Sequence, residues 1–271
     1  MTDTADRSPR WAMLMQLLAE RGRLSVVEVC EQLDVSPATV RRDFNELAAQ
    51  QLATRVHGGV VATAVAYELP ARYRSAGKDA AKQQIAERAS VLVEPGMVVG
   101  FNGGTTTTAV ARAVAARPDL ADHRQQPALT AVTNALNIAV ELVLRPVVRT
   151  VGLGGVARPE SYEQTGPITE NAVDQMWFDL LILGVDGFDA ATGATCRHPE
   201  EASINARMVA RAERVVVVAT AEKIGRATFS RICTAERVQT LVTDAAAEHP
   251  AVVALSEAGV DVASVIASSA D

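Results

Sequence analysis

Arg41 and Arg42 stand side by side in the stretch SPATVRRDFNEL, shortly after Ser36 and Thr39. On a helix, Ser36, Thr39, Arg41 and Arg42 would present hydroxyl and guanidinium groups toward its N-terminal end. That chemistry meets phosphates and the O6/N7 edge of guanine in a DNA major groove. Small Ala38 on the same face permits close approach. Downstream, LATRVHGGV sets Arg55 and His57 on the arm of a short hairpin, with Gly58-Gly59 free to take backbone angles that other residues avoid. A lone arginine pair equally suits a solvated face. The cap, turn, apolar stripe, arginine pair and glycine arm together favour a DNA reader with a wing.

A second set of polar residues lies further along. Phe101 to Thr108, FNGGTTTT, brings Gly103, Gly104, Thr105 and Thr106 between a strand and a helix. Bare amides, hydroxyls and a helix N-terminus there can converge on an anion. No Gly-Lys-Ser/Thr follows, which excludes a P-loop. Thr133-Asn134 and then Gly152, Gly154 and Gly155 end the next two strands. GVDGFD carries Asp186 and Asp189, and Glu200-Glu201 opens a helix; these carboxylates suit sugar hydroxyls or proton transfer. Lys223, in TAEKIG, offers a cation for a phosphate. Each motif alone also reads as an ordinary turn, helix cap or solvated charge. GLGGVA (152–157) formally fits a dinucleotide fingerprint, but Pro159 follows at once and no glycine-anchored helix opens there.

These residues need elements to hold them. Trp11 to Glu20 predicts a first helix packing through Trp11, Leu14, Leu17 and Leu18. Ser25 to Leu33 carries Val26, Val29, Cys30 and Leu33 at one-face helical spacing, and Asp34-Val35 turns. Ser36 as N-cap and Pro37 at the first helical position start the reading helix, with Val40, Phe44 and Leu47 as its buried stripe. Residues 1–62 form a winged helix-turn-helix and 63–78 a linker. Residues 79–271 form an α/β domain. A helix over 79–93 opens it, followed by strands at 97–101, 129–132, 147–151, 179–184, 215–219, 240–243 and 260–266. Helices at 107–116, 136–144, 168–176 and 200–212 separate them, and one more lies between the last two strands. Unbroken apolar strands alternating with helices indicate a mostly parallel sheet covered on both faces, with ligands beyond the strands' carboxyl ends.

Composition narrows the function. The 271 residues are 48% hydrophobic, 21% charged and 4% aromatic, enough for a small domain plus a full α/β domain. No apolar run reaches 18 residues and the start MTDTADRSPR is no signal peptide, so the expected place is the cytoplasm. Cys30, Cys196 and Cys233 are far apart and show no metal-ligand spacing, so neither a metal nor a disulfide framework is expected. No cofactor is expected either. The net charge of −6 argues against a general polyanion binder. Residues 1–62 hold seven arginines against eight carboxylates, net −1, so one head binds DNA weakly and two or more heads per assembly are expected.

SPATVRRDFNELAAQQLATRVHGG resembles the winged-helix signature of the DeoR-type regulators of sugar metabolism. Phe44 replaces that pattern's Leu and Gln51 its Gly. The resemblance extends over about residues 10–266. GGTT (103–106) resembles the family's phosphate loop, while TN (133–134) and GG (154–155) resemble its next two loops. GVDGFD (184–189) resembles its acidic loop, and EEASINARM (200–208) its EA motif, with Glu201 at the family position. TAEKIG departs from DSSKFG by placing Ala221 and Glu222 beside Lys223. The resemblance implies a repressor whose C-terminal domain, similar in fold to ribose-5-phosphate isomerase, senses a phosphorylated sugar. Operator DNA is the expected macromolecular partner, in a homodimer or homotetramer. Ser36, Thr39, Arg41, Arg42, Arg55 and His57 are the expected DNA contacts. Gly103, Gly104, Thr105, Thr106, Thr133, Asn134, Gly154, Asp186, Asp189, Glu201 and Lys223 are the expected effector contacts. A sugar-phosphate isomerase using Asp186, Asp189 and Glu201 as acid/base groups is the alternative from another class.

Overall fold

The computed structural model describes residues 10–11, 13–14, 17–18, 23–33, 35–49, 53–56, 58–62, 76–123 and 126–265. The chain divides into two compact units, one ending at Ala76 and the other beginning at Gly77. His57, and most of the stretch expected to link the units, lie outside the described residues.

In the first unit, Trp11, Leu14, Leu17 and Leu18 lie on a helix, as the apolar spacing predicts. Helix α1 (Val26–Leu33) starts with a reciprocal cap: Ser25 Oγ accepts the Glu28 N–H at 3.2 Å and Glu28 Oε2 accepts the Ser25 N–H at 2.9 Å. Helix α2 (Pro37–Ala49) starts after Ser36, whose Oγ accepts the Thr39 N–H at 3.2 Å. Leu14, Leu18, Val29, Val40, Phe44 and Leu47 bury one core between these helices and a small sheet. That sheet has three antiparallel strands, β1 (Arg23–Ser25), β2 (Ala53–Val56) and β3 (Gly59–Ala62), in the order β1-β3-β2. The sequence predicts only the hairpin. Gly59 shows why β1 joins it: a Cβ there would collide with the Leu24 carbonyl, so only glycine lets the strands approach.

The second unit is a seven-stranded sheet, parallel at every pairing. Its strands are β4 (Val98–Phe101), β5 (Leu129–Thr133), β6 (Val148–Gly152), β9 (Phe178–Gly184), β12 (Ala212–Ala219), β14 (Thr240–Thr243) and β15 (Asp261–Ser264). They run in the order β15-β14-β12-β9-β4-β5-β6. Leu181, Leu183, Val215 and Val217 face one apolar layer, while Leu180, Ile182, Val216 and Val218 face another. Both faces are therefore covered, as continuous apolar strands require. Helices α3 (Ala76–Ser90), α4 (Thr105–Ala115), α5 (Leu136–Val143), α6 (Pro167–Asp174), α7 (Pro199–Ala210) and α8 (Pro250–Glu257) complete the unit.

Three local readings change. Helix α4 begins at Thr105, two residues before the predicted start, because Gly104 takes φ 126° and turns the chain directly into the helix. The acidic loop is part of a three-stranded antiparallel sheet, β10 (Gly187–Asp189), β11 (Gly193–Cys196) and β13 (Ser230–Cys233). Residues 156–157 (β7) pair with residues 164–165 (β8) in a second hairpin. Strands of two to four residues carry too little alternation to be read from a single sequence.

Candidate nucleic-acid interface and effector site

In the first unit, the capping Ser36 is exposed, as are Pro37, Ala38, Arg41, Arg42 and Asn45 on α2, and Thr39 is half-buried beside Ser36. The Ser36 and Thr39 hydroxyls lie 2.9 Å apart, so the cap also fixes the Thr39 side chain. Phe44 and Val40 hold the opposite face in the core. Arg55 is exposed on β2, donates to the Gly59 carbonyl at 3.2 Å and lies 5.8 Å from the Phe44 ring centroid. Its guanidinium is thus braced on the wing before any DNA arrives. The pattern did not anticipate Asp43. Only 2% exposed, it accepts from Arg10 Nε at 2.9 Å and Trp11 Nε1 at 3.2 Å, pinning the first helix to α2.

In the second unit, the predicted effector residues gather at the carboxyl ends of the parallel strands. Phe101, Thr133 and Gly152 share one register level across β4, β5 and β6, and Gly184 closes β9 alongside. Asn102 ties two of these ends together. Its Nδ2 donates to the Gly184 carbonyl at 2.9 Å, and its Oδ1 accepts the Gly184 N–H at 2.7 Å. Helix α4 then starts after Gly104 without a side-chain cap, so its first amides remain available beside half-buried Thr105 and buried Thr106. The next two hydroxyls are engaged within the unit: Thr107 Oγ1 donates to the Gly103 carbonyl at 3.4 Å, and Thr108 Oγ1 donates to the Gly104 carbonyl at 2.7 Å and accepts from Asn137 at 2.9 Å.

The remaining predicted residues differ in what they keep for a ligand. The Gly103 N–H is already taken by Glu163 Oε1 at 2.9 Å, so Gly103 contributes backbone shape more than a donor. Thr133 Oγ1 accepts the Ala135 N–H at 3.0 Å, while buried Asn134 donates to Glu163 Oε2 at 3.2 Å and keeps its Oδ1 without a partner. Gly154 sits at φ 74° and its carbonyl accepts from Thr169 at 2.6 Å. Asp186 accepts the Arg197 N–H at 3.1 Å, and Asp189 accepts the Ala191 and Thr192 amides at 2.9 and 3.2 Å, closing the β10–β11 turn. Glu201 is buried and engaged by Arg158 Nε at 3.0 Å and Ser161 Oγ at 2.6 Å. Lys223 is half-buried and donates to the Val185 carbonyl at 2.6 Å. Burial lowers its pKa from the ordinary lysine value, opposed by the charges of Asp186 and Glu222.

Asn102, Arg158, Ser161 and Glu163 therefore belong to this cluster although the motifs did not select them. Asn102 was within reach, since it stands inside the quoted FNGGTTTT run. The other three sit in the short hairpin, whose partners are 40 to 60 residues away in sequence. Among the described residues no group of three or more His, Cys, Asp or Glu side chains could hold a metal ion. None of the described helices is long and apolar enough to cross a membrane.

Two family models match the chain: the DeoR-like helix-turn-helix domain over residues 10–64, and the DeoR C terminal sensor domain over residues 78–245. The chain belongs to the DeoR family of transcriptional regulators. The HTH-type transcriptional regulator GlpR of Haloferax volcanii is 32% identical over 251 residues, covering 92% of this chain and 94% of that protein. The glycerol-3-phosphate regulon repressor of Escherichia coli K12 is 30% identical over 232 residues, 86% of this chain and 88% of its own. Ribose 5-phosphate isomerase A from Methanocaldococcus jannaschii aligns in structure at 16% identity and TM-score 0.38, over 54% of this chain and 55% of that one. At that distance the likeness carries no argument about chemistry. Membership makes this DeoR-family chain a regulator and not an enzyme, which removes the isomerase alternative. The two matched domains imply operator DNA and a small effector as its partners.

Proposed function

We propose that this chain represses carbohydrate-metabolism genes and that a phosphorylated sugar, bound at the carboxyl ends of the sensor sheet, sets its affinity for the operator. The observation that carries the reading is the start of α4. A glycine with positive φ opens a helix that no side chain caps, and its first turn is made of threonines. Helix N-termini of that kind hold phosphates through amides and hydroxyls. Gly104, Thr105 and Thr106, with Lys223 as the cation, hold the phosphate. Thr133, Asn134, Gly154, Asp186, Asp189 and Glu201 surround the sugar, and Gly103 shapes the loop. Support for repression comes from relatives such as the glycerol-3-phosphate regulon repressor.

On the DNA side, Arg41 and Arg42 are the principal contacts, supported by Ser36, Thr39, Arg55 and His57. The net charge of −1 over residues 1–62 makes a single head weak, so the active species is a homodimer or homotetramer with one head per half-site. A thermal-shift screen tests the effector class, because a ligand that binds only the folded state raises its melting temperature. A phosphorylated sugar is expected to stabilise the protein where its unphosphorylated parent does not. Stabilisation by neutral sugars alone would contradict the reading.

A further inference from the structure

Glu163 is 4% exposed, and its carboxyl oxygens accept from neutral amides. Oε1 accepts the Gly103 N–H at 2.9 Å, Oε2 accepts Asn134 Nδ2 at 3.2 Å, and the nearby Asn205 side chain favours the ionised carboxyl. A Cβ on Gly103 would collide with the Glu163 side chain, so this contact fixes where the loop can run. Asn134 and Asn205 are 0% and 2% exposed, and each keeps an Oδ1 without a partner. Turning either amide would offer that oxygen to a carboxyl O–H, so the pocket can accept Glu163 with or without its proton.

The neighbours bias that choice. Glu201, at the start of α7, bonds Arg158 and Ser161, and Ser161 Oγ accepts the Glu163 N–H at 3.3 Å. His198 Nδ1 lies 3.1 Å from Arg158, so the Arg158 guanidinium is directed to Glu201 and His198. On β11 the Cys196 thiol is pushed by burial up to about 12 and stays neutral. Asp186 adds negative charge near Cys196 and Lys223. Burial first, then the Glu201 charge, push Glu163 up to about 8 against the pull of its amide donors.

An anion held by the amides after Gly103 would sit beside the carboxyl that grips Gly103 itself. Two negative charges on one buried loop oppose each other, and a proton on Glu163 removes the conflict. Resting on the anion-loop reading above, we propose that Glu163 is the positioning residue of the loop, and that an anion settles there together with a proton on Glu163. Reciprocity then requires that bound anion favour the protonated carboxyl and that rising pH weaken the anion.

Sulfate is the probe, because its charge does not change between pH 6.5 and 9.5 and any pH dependence belongs to the protein. Its Kd, measured calorimetrically on the full-length chain, is expected to rise toward tenfold per pH unit above about 8. E163Q is expected to bind sulfate with a nearly flat profile, whereas H198Q keeps the wild-type slope. Calorimetry of the wild type in buffers of different ionisation heat gives a readout free of any variant: proton uptake approaching one per sulfate above pH 8. T105A/T106A is expected to lose sulfate binding at every pH. A flat wild-type profile with a defective T105A/T106A overturns the proposal and leaves the loop reading standing, as does a slope that survives in E163Q. Equal sulfate binding by wild type and T105A/T106A, or none at all by the wild type, overturns the loop reading and the proposal together.

Discussion

Asp43 in the reading head and Glu163 in the sensor are carboxyls under similar burial, 2% and 4% exposed, yet their surroundings differ. Asp43 meets the Arg10 guanidinium at 2.9 Å and the Trp11 indole. Glu163 meets a backbone amide and asparagine side chains, with a second carboxylate, Glu201, nearby. A cation partner turns a buried carboxyl into a rivet; amides alone leave the charge of Glu163 conditional. The contrast matches what each unit must do. A reading head gains from a fixed helix pair, whereas a sensor needs a group whose state a ligand can change.

The largest expected effect is at the rivet. Asp43→Ala removes the acceptor of the Arg10 and Trp11 hydrogen bonds and is expected to destabilise the head by about 3 kcal/mol. The chain has two tryptophans, Trp11 and Trp177, so denaturant unfolding of a Trp177→Phe background followed by Trp11 fluorescence reads the head alone. A loss below about 1 kcal/mol would make Asp43 an ordinary surface-grade pair.

The sensor counterpart depends on pH. Below 4.5, the ordinary glutamate value, Glu163 is protonated folded or unfolded; between there and about 8 the unfolded chain releases the proton while the folded one keeps it. The unfolded state then binds fewer protons, so stability falls as pH rises through that window and levels off beyond it. E163Q cannot titrate, and its melting temperature relative to wild type is expected to climb across the window. Parallel pH profiles for the two proteins would remove the contrast with Asp43.

Two smaller effects test the head's reading surface. Arg41→Ala or Arg42→Ala is expected to cost about 1–3 kcal/mol of operator affinity if that side chain reads a guanine, without moving the melting temperature. Gel-shift titrations on promoter fragments decide it, and unchanged affinity in both variants would take the pair off the interface. Ser36→Ala removes the hydroxyl that caps α2 and fixes Thr39, and about 1 kcal/mol of head stability is expected to go with it.

The head was legible because its signals are local. Ser36, Pro37 and the Val40, Phe44, Leu47 stripe lie within one helix, and each state of the chain there follows from neighbours three or four residues away. The parallel strands were legible for a related reason, since Leu180 to Leu183 and Val215 to Val218 are apolar on both faces. The Ser25–Glu28 cap was within reach too, since its S-x-x-E spacing is a sequence signal. Glu163 gave none. Its role comes from Gly103, 60 residues earlier, and from a hairpin whose strands are two residues long. The acidic loop has both kinds of signal: Asp189 has the right type for a sugar contact, and its Oδ1 also closes a turn on the amides of Ala191 and Thr192, two and three residues on.

The threonines that open α4 are expected to connect the sensor to the operator. Operator affinity measured by fluorescence anisotropy, with and without the phosphorylated sugar that stabilises the wild type, tests this in wild type and T105A/T106A. Charged hydrogen bonds contribute about 1.5–3 kcal/mol each, so the double variant is expected to need at least roughly tenfold more effector. The predicted result is wild-type operator affinity in T105A/T106A with no response at an effector concentration that shifts the wild type. A full wild-type response in the double variant would place the effector elsewhere and contradict the account.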